Sequence, residues 1–179
     1  PPGGAFTPHP GYLGTPKPIT MVDRLSDHGA LLYAVAEHAL LSGDPDFIAR
    51  WTEGMVKACE FIEAARRIAG HAGVEGLLPP AVATDKCTQI QAIWNDGWSY
   101  KGLTTAVRLL KRIGHPRAAA LEAEAQEYRR VFQAAYRQRC AGAPRWTDRR
   151  GRRRVLAPTS IYGEAPDDTI HSFYLDCGP

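Results

Sequence analysis

Two short turns, Gly43-Asp44-Pro45 and Gly114-His115-Pro116, constrain this chain more than anything else in it. Glycine readily takes the left-handed backbone that ends a helix, and proline is pre-set for the first position of the next. Each turn therefore reads as a tight link between antiparallel helices, with Asp44 as the N-cap of the second. Gly114 stands 71 residues after Gly43, and the same spacing pairs Pro45 with Pro116, Phe61 with Phe132 and Arg66 with Arg137. The chain is thus predicted to repeat one helical hairpin whose copies bury their apolar faces on each other.

The flanking segments have helical periodicity. Residues 27 to 42, capped by Ser26 or Asp27, carry Leu31, Leu32, Val35, Ala36, Ala39, Leu40 and Leu41 nearly all round, which predicts an inner helix. Residues 45 to 69 are amphipathic, with Ile48, Trp51, Met55, Cys59 and Ile62 on one side and Arg50, Glu53, Lys57 and Glu60 on the other, so this helix is expected outside. A third helix over 96 to 113 and a fourth, amphipathic one over 116 to 139 repeat the pair, with Leu121, Ala125, Tyr128 and Phe132 on the apolar face of the fourth. Turns inside hairpins are short and the segments between them long. The long loops and the N-termini of the two inner helices must therefore gather at one end, and long connections in a compact fold are usually functional.

The expected fold is all-α: an extended Pro- and Gly-rich segment over 1 to 25, hairpins over 26 to 70 and 95 to 139, a loop with a small β-hairpin over 140 to 158, and the start of a third hairpin over 159 to 179. The β-hairpin is predicted to turn at Arg150-Gly151. The net charge of +3 is concentrated in Arg149-Arg150-Gly151-Arg152-Arg153-Arg154, which reads as a solvated hairpin tip rather than a nucleic-acid surface. No apolar run approaches the roughly 18 residues of a membrane span. Cys59, Cys87, Cys140 and Cys177 form no C-x-x-C pair, which argues against zinc; Cys87 and Cys140 both lie at or near predicted loops, leaving a disulfide between them open. No cofactor motif is present, and the compartment stays open.

Chemistry concentrates in Ile93-Trp94-Asn95-Asp96-Gly97-Trp98-Ser99-Tyr100-Lys101-Gly102. Aromatic faces beside an acid and an amide suit a sugar ring, which offers apolar C–H faces and a rim of hydroxyls. Trp94, Asn95, Trp98 and Tyr100 are the candidate sugar-binding side chains, although alternate positions on a helix point apart and at least one aromatic should be core. Asp27, His28 and Asp85 belong to the same expected end. Asp96 is the first candidate for a catalytic carboxyl, against the plainer possibility that Asn95 or Asp96 caps the helix. Glu164, with Asp167 and Asp168, lies in a loop expected to return to that face.

Asp27-His28-Gly29-Ala30-Leu31-Leu32-Tyr33, Leu41-Ser42-Gly43-Asp44, Gly76-Leu77-Leu78-Pro79-Pro80 and Trp94-Asn95-Asp96-Gly97-Trp98-Ser99-Tyr100-Lys101-Gly102-Leu103 together resemble the six-hairpin glycosidases over roughly residues 20 to 140. The resemblance implies an (α/α)6 toroid whose inner helices surround a carbohydrate funnel. It implies a glycoside hydrolase that works by inversion between two carboxyl groups about 6.5 to 9.5 Å apart, with Asp96 and Glu164 as nominees. A polysaccharide lyase or epimerase on the same toroid, or a non-catalytic helical repeat that binds glycan or protein, are the rival expectations. Six such hairpins need about 400 residues, so the remainder of the toroid, or self-association, is expected to cover exposed helix faces.

Overall fold

A computed structural model describes residues 25–82, 89–155 and 157–163. The expected extended segment over 1 to 24, Asp85, Cys87, Glu164, Asp167, Asp168 and the rest of the expected third hairpin lie outside the described residues. Four helices dominate: α1 (Leu25–Ser42), α2 (Pro45–Arg66), α3 (Ile93–Arg112) and α4 (Ala118–Ala141). Short strands accompany them: β1 (Gln91–Ala92), β2 (Arg145–Thr147), β3 (Arg153–Val155) and β4 (Ser160–Tyr162). The described residues are therefore mostly helical, with small antiparallel β elements.

The first turn forms as its residues dictate. Gly43 takes φ +63°, and the Asp44 carboxylate accepts from the backbone N–H groups of Asp46 and Phe47, with Pro45 opening α2. The second turn repeats the glycine, at φ +67° for Gly114, but not the cap. His115 stands where the carboxylate would be, and its Nδ1 accepts from Arg117 N at 3.2 Å. Pro116 and Arg117 consequently stay in the turn and α4 begins at Ala118, two residues later than expected.

Helices α1 and α3 lie side by side and parallel, as the 71-residue repeat requires. Ser99 Oγ donates to the Leu25 carbonyl at 3.3 Å near one end, and Arg112 donates to the Leu40 carbonyl at 3.0 Å near the other. Two glycines set their spacing. A Cβ on Gly29 would fall 2.4 Å from Ser99 N, and one on Gly102 would fall 2.5 Å from Gly29 O, so the two backbones touch where any side chain would separate them. Around this seam Leu32, Ala36, Cys59, Ile62, Leu103, Leu110 and Leu121 form one continuous core. Burial pushes the Cys59 thiol up to about 12, that of an inert apolar side chain.

α2 and α4 pack outside the pair and are tied to each other by charge. Arg117 meets Glu60 at 3.3 Å and Glu63 at 3.6 Å, and Arg66 pairs with Glu124. Cys140 is a half-buried free thiol within α4 rather than a loop cysteine in a disulfide.

Residues 160–162, expected to begin a third hairpin, form β4 instead, pairing antiparallel with β1 just ahead of α3. The predicted β-hairpin is present as β2 and β3, in register Arg145 with Val155, Trp146 with Arg154 and Thr147 with Arg153. Gly151 turns it at φ +73°. Asp148 organises the arginine-rich tip: its carboxylate accepts from Arg150 N and Arg152 N and from the side chains of Arg152 and Arg154, which together hold its carboxyl below the usual range.

Candidate functional site

α3 starts three residues earlier than its sequence suggests, at Ile93, and this decides where the aromatic decapeptide points. Its N-cap is Ala92, which supplies no side-chain hydrogen bond; Ile93 N is satisfied by the Thr159 carbonyl beside the β1–β4 pair. Strand pairing therefore replaces a capping side chain, and Asn95 and Asp96 lie inside the first turn rather than before it. The capping role weighed for them does not occur.

Both are buried. Asn95 is 2% exposed and donates from Nδ2 to the Val82 carbonyl at 3.4 Å. Asp96, also 2% exposed, accepts at Oδ1 from the Tyr128 hydroxyl at 2.6 Å and from Leu78 N at 3.3 Å. Its Oδ2 is buried without a partner among the described residues. Burial raises the Asp96 carboxyl to about 6 against the lowering effect of Tyr128, Leu78 and Arg66. The Tyr128 hydroxyl is driven upward by its own burial and then by Asp96.

This pair belongs to a larger assembly that the sequence did not reveal. Arg66 lies 4.2 Å over the Tyr128 ring, donates from Nε to the Gly76 carbonyl at 2.8 Å and pairs with Glu124. Asp96, Tyr128, Arg66 and Glu124 thus join α3, α4, α2 and the 76–78 loop in one polar cluster. Asp96 forms the floor of a cleft of about 260 Å³ whose other walls include Tyr100, Tyr128, Phe132 and Arg129. Tyr100 meets Tyr128 edge-to-face at 5.8 Å, so it is the packing aromatic of the decapeptide.

Trp94 and Trp98 face the other way. Trp94 is 46% exposed and meets Trp98 edge-to-face at 5.8 Å. Trp98 lies 6.1 Å from the ring of Tyr33 on α1, and the Lys101 ammonium stands 4.3 Å over Tyr33 and 5.9 Å from Trp98. Exposed Trp94 and Lys101 thus stand with half-buried Trp98 and Tyr33 in one aromatic cluster beside the α1–α3 seam. Tyr33 and Lys101 were not among the sequence candidates; their signal was the repeat itself, which sets Tyr33 one turn along α1 from Gly29 and next to the equivalent stretch of α3.

The remaining candidates divide. Asp27 is exposed in the first turn of α1, accepting from Ser26 Oγ at 3.5 Å. His28 is fully buried, donating from Nε2 to the Ala58 carbonyl at 2.9 Å with its ring 4.4 Å from Phe61. It fastens α1 to α2, the structural role weighed beside a sugar contact for it: position 28 turns into the α1–α2 interface while 27 turns out.

The long loop is held by Gln91, which sequence reasoning also passed over. Its amide accepts from Val74 N at 2.7 Å and donates to the Val74 and Leu78 carbonyls at 2.8 and 2.9 Å. Gly73 leaves room for it, since a Cβ there would fall 2.4 Å from Gln91 Cδ. Beside this lock, Ile68, His71, Pro79, Pro80, Gln89 and Tyr162 line a cleft of about 540 Å³.

Among the described residues no group of His, Cys, Asp and Glu is arranged to hold a metal, and no helix is long and apolar enough to cross a membrane. No protein-family model, curated protein or solved structure matches this chain.

Proposed function

We propose that this chain is the sugar-binding part of a carbohydrate-active enzyme of the glycoside hydrolase class, built on the hairpin repeat of an (α/α)6 toroid. The observation that carries this reading is the Trp94–Trp98–Tyr33–Lys101 cluster. The exposed Trp94 indole beside the half-buried Trp98 is costly to leave in water unless something covers it, and pyranose C–H faces stack on such rings while a nearby ammonium donates to hydroxyls. The parallel α1–α3 pair and the loops gathered near its N-terminal end support the toroid part of the proposal.

The two nominated carboxylates then take different roles. Asp96 is a positioning residue: bonded to Tyr128 and Leu78, it sets the first turn of α3 and so the direction in which Trp94 and Trp98 point. Glu164 and Asp85 remain nominees for the chemistry, and Asp27 is an exposed carboxylate in the first turn of α1. Hydrolysis requires one such group to protonate the leaving oxygen and another to activate water.

The test is a tryptophan-fluorescence titration of the folded protein with α-linked oligosaccharides, run beside a reducing-end assay on the same panel. Saturable quenching together with new reducing ends is the expected result. Quenching without turnover would favour the non-catalytic glycan-binding repeat, and no quenching by any member of the panel would sink the sugar reading.

A further inference from the structure

The 71-residue repeat assigns a meaning to two surfaces that the sugar reading leaves unused. At the α1–α3 seam, α1 presents Leu25, Gly29, Leu32, Tyr33 and Leu40 to Trp98, Ser99, Gly102 and Arg112 of α3. Advancing the α1 positions by one repeat lands on Asp96, Tyr100, Leu103, Thr104 and Lys111. Tyr100, Thr104 and Lys111, with Val107 and Arg108, line an open groove of about 520 Å³ whose far wall is Glu122, Ala125 and Arg129 of α4. The groove continues past Tyr100 to the cleft floored by Asp96. Asp96 and Leu103 are buried, so the side of α3 equivalent to α1's seam side is open along Tyr100, Thr104 and Lys111.

The converse holds on α1. Moving Trp98, Gly102 and Arg112 back by one repeat gives Asp27, Leu31 and Leu41, which are exposed, Leu31 to 46% and Leu41 to 80%, whereas Ser99 moves to His28, which is buried against α2. With Ala34 and His38, also exposed, the three exposed residues form a stripe at helical spacing along the outer side of α1. The molecule therefore carries both halves of a second copy of its own central interface.

We infer that a second copy of this chain seats its α1 stripe in the α3–α4 groove, parallel to α3 and in the register of the α1–α3 seam. One chain supplies both complementary surfaces, so no other protein is needed. The contact differs from the internal seam in one respect. Where Gly29 and Gly102 bring backbones together, the repeat places Tyr100 and Leu31, so the helices sit at the ordinary separation of about 8 to 10 Å with these two side chains between them. Because the two surfaces are different, the contact is head-to-tail: each added copy leaves one groove and one stripe free, and growth passes beyond a dimer until it closes into a ring or continues. The inference rests on the repeat and not on the sugar-stacking rings; Asp27 belongs to both surfaces.

Sedimentation equilibrium over a range of concentrations tests it with two surface variants, Leu31→Arg on the stripe and Thr104→Arg in the groove, each first shown by circular dichroism to keep its helix content. The wild-type average mass is expected to rise past that of a dimer, and each variant alone to remain monomeric. An equimolar mixture of the two is expected to stop at a dimer, because only the intact groove of one and the intact stripe of the other can pair. A wild-type monomer at every concentration, a variant that still forms large species, or a mixture that stays monomeric would each overturn the inference. The first of these outcomes would assign the groove to an occupant other than this chain.

Discussion

Trp94 and Asp96 stand two residues apart in the first turn of α3 and have opposite surroundings. Trp94 is half open to solvent among rings and an ammonium, whereas Asp96 is closed between α3, α4 and the 76–78 loop. Residues two apart on a helix point roughly opposite ways. A cluster that looks like one site when written as a string is therefore two devices: an aromatic surface facing outward, and a polar fastening beneath it that fixes where that surface lies. Chemistry that is dense in sequence need not be dense in space.

The largest effect expected is on the fastening. Arg66→Ala leaves Glu124 with only the exposed Arg67 at 3.2 Å, uncovers the Tyr128 ring and frees the Gly76 carbonyl. Breaking such a buried pair costs about 3 to 5 kcal/mol, to be read from urea unfolding. A loss below about 1 kcal/mol would mean that the cluster does not hold the helices together.

Next comes a pH dependence with a definite sign. The folded Asp96 carboxyl sits at about 6 against 3.8 when exposed, so between those values the folded state holds a proton that the unfolded state has released. Its favourable contribution is complete below the lower value and lost as pH rises through the upper one, a change of about 3 kcal/mol across that window. The difference in stability between wild type and Asp96→Asn, measured from pH 4 to 7, should therefore shift by about that amount in favour of the variant. A flat difference, or one that shifts in favour of the wild type as pH rises, would contradict the burial of an unpaired Oδ2.

Gly29→Ala joins the two regions. Its Cβ would strike the backbone of Trp98 and Ser99, so α1 and α3 must part. A loss of about 1 to 3 kcal/mol is expected, with weaker sugar quenching as well, because Tyr33 and Trp98 move apart together. Unchanged quenching would show that the two rings do not act as one surface.

Trp94→Ala should have the smallest effect on stability, within about 0.5 kcal/mol, since the ring is an outer one. Its effect on oligosaccharide affinity is the larger one, a loss of about five- to tenfold for one stacking ring. A clear drop in melting temperature would make Trp94 part of the core after all.

What the sequence made legible follows from local chemistry. The Gly43-Asp44-Pro45 turn, the repeat and the Gly151 hairpin tip each rest on residues whose backbone preferences act within a few positions, and each formed. The start of α3 did not, because Ile93 N finds its partner in Thr159, far along the chain, and no local cap announces it. β1 and β4 were invisible for a related reason: two or three residues are too few to display a strand's alternation. His28, at the start of α1, could be read equally as a ligand group or a structural one, and the carbonyl it bonds on the next helix depends on how the two helices pack. Arg66 and Tyr128 could be assigned to helix faces, but that a cation buried on α2 would stack on a phenol from α4 depends on how the hairpins nest.

The separation of the two regions is tested most directly by titrating Asp96→Asn, at one pH and beside wild type, with an oligosaccharide that quenches the wild-type tryptophans. The asparagine oxygen can still accept from Tyr128 and Leu78, so the first turn of α3 should hold and the midpoint should match wild type. A native-like melt accompanied by loss of quenching would contradict the account and place the Asp96 carboxylate in contact with the sugar.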